Sequence, residues 1–192
     1  MSRLPLIDPE RTTGDIRAAF DRMRVKLNIF RILAHAESCA VPVMRLGNAI
    51  LHHQTLSEQN RELLILQVAQ IEGGAYEWRQ HVPIAEGVGV SKSQIEAIKS
   101  GNFNSEVFGP AQRALLAFAE RVITTVRVPA AIFQQLQQHF SDREIVESIL
   151  TIGFYMMMAR LTEATETDLD AAAGMSAYQA GRRRGGPSAD QG

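Results

Sequence analysis

The sequence predicts an all-α fold, organised as a single-domain helical bundle. Apolar residues recur at helical spacing along most of the chain, and no segment shows the two-residue alternation of a half-buried strand. Serine, proline and glycine residues stand where these helical segments begin and end. With 192 residues, the chain is long enough to bury one core without a second domain.

The first helices follow an irregular arm, predicted over residues 1–11. The apolar spacing after this arm predicts one helix that Thr13 or Asp15 can cap. A second, short helix is predicted around Phe30 and Leu33. The chain therefore enters its helical domain within the first fifteen or so residues.

Two longer helices come next. The stretch VPVMRLGNAILHH predicts a helix with Pro42 near its first turn. The following helix is predicted from a Ser57 cap to Gly73, and its apolar residues cover nearly every side. A helix that is apolar all round is buried within a domain or between subunits, so we expect this one to be central.

The remaining helices are marked by their first residues. Ser91 and Gln94 have the spacing of a capping box, and Gly101 stands just past the end of the short helix that they open. Three further helices are predicted, opened by Pro110, Pro129 and Ser141.

The helical domain is predicted over residues 12–178, and a flexible tail over residues 179–192. The tail is rich in glycine and arginine and has no large apolar residue after Tyr178. Its three arginines, Arg182 to Arg184, indicate a solvated segment, because no aromatic residue or second basic patch accompanies them.

Composition excludes several classes of function. The 20 basic and 21 acidic residues give a formal charge of −1, which provides no general attraction to nucleic acids or membranes. Because Cys39 is the only cysteine, the chain has no internal disulfide, Cys-X-X-Cys pair or cysteine-rich zinc site. The 5 histidines have no ligand spacing, so no metal is predicted. Without a signal peptide or a membrane span in the sequence, we expect a cytoplasmic protein.

The stretch GGAYEWRQHV, residues 73–82, differs from its mostly apolar neighbours, because two glycines are followed by several polar and aromatic residues. On a helix, Glu77 and His81 share one apolar stripe, whereas Arg79 points to nearly the opposite side. A carboxylate four residues away favours the protonated imidazole, which makes His81 a candidate proton donor. Pro83 removes one backbone donor from the next turn. From spacing alone, a purely structural Glu–His pair stays open.

A family resemblance adds to this pattern. The segments RELLILQVAQ and YEWRQHVPIAEGVGVSKSQIEAI, within residues 57–100, resemble the core signature of the carboxymuconolactone decarboxylase family, which shares its fold with alkylhydroperoxidase D. In the peroxidase branch, a Cys-X-X-Cys pair precedes the histidine by about seven and four positions. Those positions are Gly74 and Glu77 here, and the upstream glutamate falls on Glu62. Thiol-based peroxide reduction therefore does not transfer to this chain.

The resemblance implies a carboxy-lyase that uses no metal or organic cofactor and acts on a small carboxylated lactone or related cyclic compound. His81, held by Glu62 or Glu77, would protonate the dienolate that decarboxylation leaves, and the other glutamate would orient it. Tyr76 and Trp78 would help to shape the substrate pocket.

Two other functions stay open: a peroxide-handling protein that works through Cys39 alone, and a non-catalytic small-molecule binding protein of the same fold. In all cases we expect a homo-oligomer, because the helix over residues 57–73 is so apolar and FYMMMA would be exposed in a monomer. The resemblance implies a trimer or hexamer. No arginine can be assigned to a substrate carboxylate, because Arg79 points away and the directions of Arg45 and Arg160 cannot be fixed.

Overall fold

The computed structural model describes residues 1–172, 175–176 and 178–180. These residues form helices and connecting turns with no strand, which confirms the predicted all-α fold. A 3₁₀ turn over Pro9–Arg11 precedes the α-helices. The α-helices are α1 Gly14–Arg22, α2 Asn28–Leu33, α3 Glu37–His52, α4 Glu58–Glu72, α5 Ala75–Gly87, α6 Lys92–Lys99, α7 Pro110–Thr125, α8 Ala130–Gln137 and α9 Asp142–Ala164.

One predicted helix start is wrong. Helix α3 begins at Glu37, so Pro42 lies inside the helix and not near its first turn. The backbone N–H groups of Cys39 and Ala40 already donate to the carbonyl of Ala36, at 2.9 and 2.8 Å. A turn is therefore complete before the proline, which removes only one later hydrogen bond, on an exposed side of the helix.

Helix α4 is the central helix, as predicted. The Ser57 hydroxyl accepts a hydrogen bond from the N–H of Asn60 at 3.2 Å, and Gly73 ends the helix with a φ of 72°. Residues 61–69 are all buried, and α4 packs against α5, α6, α7 and α9 of the same chain. Its apolar surface is thus covered within one chain and gives no reason for an oligomer. The oligomeric state stays a prediction.

Two apolar clusters lie on different sides of α4. The first joins α4 to α7, α8 and α9 through residues that include Leu64, Ile65 and Val68. The second joins α4 to α5, α6 and α7 through residues that include Leu63 and Leu66. Because consecutive helical residues point about 100° apart, this short stretch serves both clusters.

The capping signals later in the chain are confirmed. Ser91 and Gln94 form a capping box at α6, and Ser141 forms another with Glu144 at α9. Pro110 is the first residue of α7, and Pro129 is the N-cap residue of α8. Local chemistry fixed these starts, because each cap uses only its own turn.

Helix α9 is, within the described part of the chain, the one helix long and apolar enough to cross a membrane by length and composition. The sequence has no uninterrupted apolar run of about 18 residues, and the expected lack of a membrane span stays a prediction. Helix α9 packs against α3, α4, α5 and α7, and the core helix of a soluble protein passes the same test. The finding is therefore weak evidence for a membrane location, and the cytoplasmic location stays a prediction.

The N-terminal arm is tied to the segment after α9. The N–H of Arg3 donates to the carbonyl of Thr165 at 2.8 Å, and the terminal amine of Met1 lies 3.0 Å from Asp168. Of the predicted tail, only residues 179–180 are described. Its arginines, Arg182 to Arg184, lie outside the described residues.

Candidate active site

Helices α1, α2, α3, α5 and α9 surround a cavity of about 580 Å³. This volume is within the range of small-molecule sites. Four polar side chains of α5 face the cavity, and the apolar part of its wall includes Leu27, Ile29, Leu33, Val41, Val43, Phe154 and Met158. An apolar cavity with a few convergent ionisable groups is the default location of an active site. The four α5 side chains are Tyr76, Glu77, Gln80 and His81.

Glu62 is the carboxylate that holds His81. Its Oε2 lies 2.8 Å from Nδ1 of His81, and the two side chains are 0% and 9% exposed. The other ring nitrogen, Nε2, has no hydrogen-bond partner among the described residues. A histidine bound to a carboxylate through Nδ1 is oriented, and its Nε2 is left for proton transfer.

A chain of polar contacts extends from the other carboxyl oxygen of Glu62. Nε of Arg61 lies 3.3 Å from Oε1 of Glu62, and its guanidinium donates to the hydroxyl of Tyr178 at 3.0 Å. Tyr178 in turn donates to Oε1 of Glu58 at 2.7 Å. Burying a carboxylate is unfavourable unless it is paired, and here Arg61 and His81 each bind one of its two oxygens.

Glu77 is near the pair but has a different partner. Both of its carboxyl oxygens lie within 3.2 Å of the Thr162 hydroxyl, which donates to the carboxyl group. Burial raises the pKa of Glu77, although the Thr162 hydrogen bond acts in the opposite direction. Glu77 therefore does not hold His81. It supplies a buried carboxyl group with a raised pKa to the cavity that His81 lines.

Gly74 makes room for the Glu77 carboxyl group. A Cβ atom at residue 74 would lie 2.9 Å from Oε2 of Glu77 and 3.0 Å from Cβ of Ala159. Side chains of ordinary residues do not fit at such distances without a shift. Gly74 and Glu77 stand at the two positions that cysteines occupy in the peroxidase branch. Here the Glu77 carboxyl group takes up the space that a side chain at residue 74 would need.

Tyr76 and Trp78, both predicted to shape the pocket, lie on different sides of α5. The Tyr76 hydroxyl donates to the carboxylate of Asp170 and accepts a hydrogen bond from the N–H of Ile29 at 3.3 Å. Burial, as the largest cause, raises the pKa of Tyr76. Tyr76 lines the cavity, whereas Trp78 packs against the second apolar cluster. The structure brings Glu62, Glu77, His81 and Tyr76 together and leaves Trp78 outside.

Helix α9 contributes residues that the sequence did not single out. The ring of Tyr155 stands perpendicular to the His81 ring, with centroids 4.9 Å apart. Thr162, the donor to Glu77, lies seven residues later on the same side of the helix. A threonine two helical turns from a tyrosine, on an otherwise apolar helix, was the available signal.

Cys39 and Arg160 lie outside the cavity, whereas Arg45 lines it. Cys39 is exposed in the first turn of α3 and does not line the cavity. Within the described residues, no cluster of three or more His, Cys, Asp and Glu side chains could hold a metal ion. Arg160 is an exposed residue paired with Glu72 at 2.8 Å, and Arg45 lines the cavity.

Comparisons with known proteins agree with this architecture. The family model described as "Carboxymuconolactone decarboxylase family" matches residues 42–121, a segment that contains Glu62, Glu77 and His81. A structure from Agrobacterium tumefaciens, of a protein of unknown function related to the antioxidant defence protein AhpD, is 26% identical, with a TM-score of 0.63. The similarity covers 68% of this chain and 89% of that one.

Two more distant structures show the same fold. An uncharacterized peroxidase-related protein with the alkylhydroperoxidase AhpD core, from Ralstonia eutropha JMP134, is 21% identical with a TM-score of 0.77, over 94% of this chain and 96% of that one. The debrominase Bmp8, in complex with 2,3,4-tribromopyrrole, is 19% identical with a TM-score of 0.68, over 84% and 88% of the two chains. Residues 42–121 are thus similar to the carboxymuconolactone decarboxylase family, and the chain has the fold of the AhpD core.

Proposed function

We propose that this protein is a cofactor-free enzyme that uses acid/base chemistry, and that its reaction is the decarboxylation of a small carboxylated lactone or related cyclic compound. The observation that carries the proposal is that His81, which the buried Glu62 binds through Nδ1, lines the same cavity as Glu77. The matching family model supports the reaction class. A buried carboxyl group in a cleft whose pKa is raised, as that of Glu77 is, is typical of catalytic sites.

Decarboxylation needs a group that accepts charge and a group that gives a proton. When the bond between the γ-carbon and its carboxylate breaks, carbon dioxide leaves and the electron pair moves through the ring double bond onto the lactone carbonyl. The resulting dienolate then takes a proton at the α-carbon from the His81 imidazolium, which solvent reprotonates. Glu62 stabilises that imidazolium through Nδ1.

Glu77 has the second role. Burial raises the pKa of Glu77, which extends the pH range in which the group is protonated. In that form it donates a hydrogen bond to the carbonyl oxygen that becomes negatively charged. Thr162 fixes the carboxyl group for this donation. Two ionisable groups with different environments thus divide the work: His81 transfers the proton, and Glu77 stabilises the oxyanion.

The location of Cys39 favours this function over peroxide reduction. A redox-active thiol needs a neighbouring base and a resolving partner. Cys39 is exposed, its recorded partner is the Ser38 hydroxyl at 3.8 Å, and it is absent from the lining of the cavity that contains His81. The sequence offers no second thiol.

The test is carbon dioxide release from a γ-carboxy-γ-lactone, with the product analysed by NMR in deuterated water. We expect His81→Asn to lower kcat by about 10²- to 10⁴-fold, because it removes the proton donor. His139→Asn is the matched control, since His139 is exposed and does not line the cavity. Deuterium should enter at the α-carbon.

Three outcomes would contradict the proposal. Turnover that is unchanged in His81→Asn removes the assigned proton donor. A lactone that raises the melting temperature but is recovered unaltered indicates a binding protein. Peroxide consumption that Cys39→Ser abolishes indicates the thiol-based alternative.

A further inference from the structure

Three arginines lie at the opening of the cavity. Arg22 is the last residue of α1, Arg24 follows it in the connection to α2, and Arg45 is on α3. All three line the cavity and are exposed to solvent. Because these side chains both line the cavity and contact solvent, they form part of its rim, which we call the entrance. Helices α1 and α3 are in contact, so two separate parts of the chain bring positive charge to this rim.

These arginines have no carboxylate partner among the described residues. Five arginines form ion pairs with carboxylates, but among the described residues no acidic side chain lies within ion-pair distance of Arg22, Arg24 or Arg45. The paired arginines are Arg3, Arg17, Arg61, Arg143 and Arg160. The one carboxyl group in the described cavity lining belongs to Glu77, and it is buried with a raised pKa. The entrance is therefore a region of uncompensated positive charge.

Part of the cavity wall is apolar. The side chains of Val25, Leu27, Ile29, Phe30 and Phe154 line this part of the cavity. A compact ligand that is polar on all sides would lose hydration there without gaining hydrogen bonds, which is unfavourable. A hydrocarbon body would instead gain from the burial of its surface.

We propose that the substrate is an amphiphilic carboxylate. Its carboxylate binds the arginines at the entrance, its alkyl or aryl body fills the apolar part of the cavity, and its reacting group lies at the remote end, at Glu77 and His81. The proposal rests on the proposed function for the identity of the reacting end. The carboxylate at the entrance is an anchor that survives the reaction, because it is held apart from the groups that transfer protons.

Guanidinium groups suit this anchor. An arginine side chain binds a carboxylate through two parallel N–H donors, and such charge-assisted hydrogen bonds are stronger than neutral ones. Because the entrance is open to solvent, salt should weaken the interaction. The apolar part of the binding should not respond to salt in this way.

The test is isothermal titration calorimetry with two probes that share one body, para-butylbenzoate and para-butylbenzyl alcohol. We expect the benzoate to bind at least about tenfold more tightly than the alcohol, which corresponds to about 1.4 kcal/mol. Changing Arg22→Gln, Arg24→Gln and Arg45→Gln together should reduce the benzoate affinity to that of the alcohol. The alcohol affinity should not change, and Arg79→Gln, outside the cavity, should bind both probes like the unaltered protein.

The inference is overturned if both probes bind equally, if the benzoate does not bind, or if the arginine variant keeps its preference for the benzoate. His81→Asn separates this inference from the proposed function. If the entrance is an anchor, His81→Asn binds the benzoate normally, whatever its effect on turnover. Normal benzoate binding together with unchanged lactone turnover in His81→Asn would leave the anchor in place and refute only the acid/base mechanism.

Discussion

Helices α4 and α5 together have two sides that differ in chemistry, although both sides are formed by the same two helices. On one side, Leu63 and Leu66 pack with α6 and α7 in a cluster of apolar side chains. On the other, Glu62 and Glu77 are buried with hydrogen-bonding partners beside the cavity. Burial of the apolar side stabilises the fold. Burial of the polar side costs free energy, which hydrogen bonds to each carboxyl group offset.

Neighbouring residues illustrate this division. Glu77 faces the cavity, and Trp78, the next residue, packs into the second apolar cluster. An apolar core needs no buried glutamates, and well-packed hydrophobic residues often replace a buried ion pair without loss of stability. The polar side is therefore the one that we expect to serve function, and substitutions on the two sides should fail in different ways.

The largest expected effect is on the polar side. Glu62→Ala leaves Arg61 buried without its carboxylate, so we expect the free energy of unfolding to fall by about 3–5 kcal/mol. Urea denaturation measures this change. The double variant Arg61→Leu with Glu62→Leu removes both charges and should recover part of the loss. A Glu62→Ala protein as stable as the unaltered one would show that the pair is not effectively buried.

The next effect is on the apolar side. Leu66→Ala leaves a void in a fully buried position, which costs about 2–5 kcal/mol of stability. In the fraction that stays folded, ligand binding and catalysis should be unchanged, because Leu66 does not line the cavity. Denaturation together with calorimetric titration of a cavity ligand measures both. A loss of affinity in the folded protein would break the proposed separation of the two sides.

The smallest effect is a change in pH dependence. The folded protein raises the pKa of Glu77 above its ordinary value of about 4.5, so it binds this proton more tightly than the unfolded chain does. The stability that this proton contributes is full below the ordinary pKa and is lost as pH rises through the raised one. Glu77→Gln cannot lose a proton, so its stability relative to the unaltered protein should increase as the pH rises above about 4.5.

Denaturant unfolding across this pH range measures the difference between the two proteins. Glu86→Gln is the control, because it replaces an exposed carboxylate of the same helix by an amide. A stability difference for Glu77→Gln that is constant with pH would mean that burial does not raise the pKa.

Much of the fold could be predicted from local signals. Ser57, Ser91 and Ser141 each cap a helix through hydrogen bonds within one turn, so the sequence alone locates these starts. The start of α3 could not be located in this way. Its N-cap residue, Ala36, has no capping side chain, and Pro42 was the stronger signal.

The candidate site was predicted in part. Helical spacing placed Glu77 and His81 on one side of α5, and the family resemblance added Glu62. The sequence could not decide whether Glu62 or Glu77 holds His81, since Glu62 and His81 lie 19 positions apart on different helices. For the same reason Thr162, Arg22 and Arg24 were missed and the direction of Arg45 stayed open.

The sequence by itself determined which residues form helices and that one helix carries a carboxyl group and an imidazole on the same side. These properties depend on interactions between residues a few positions apart. Only the tertiary structure decided that Glu62 pairs with His81, that Thr162 binds Glu77, that Trp78 is turned away from the cavity and that Arg45 stands at its entrance. Those contacts join different helices. The angles at which the helices pack, and the rotation of each helix about its axis, depend on the whole core.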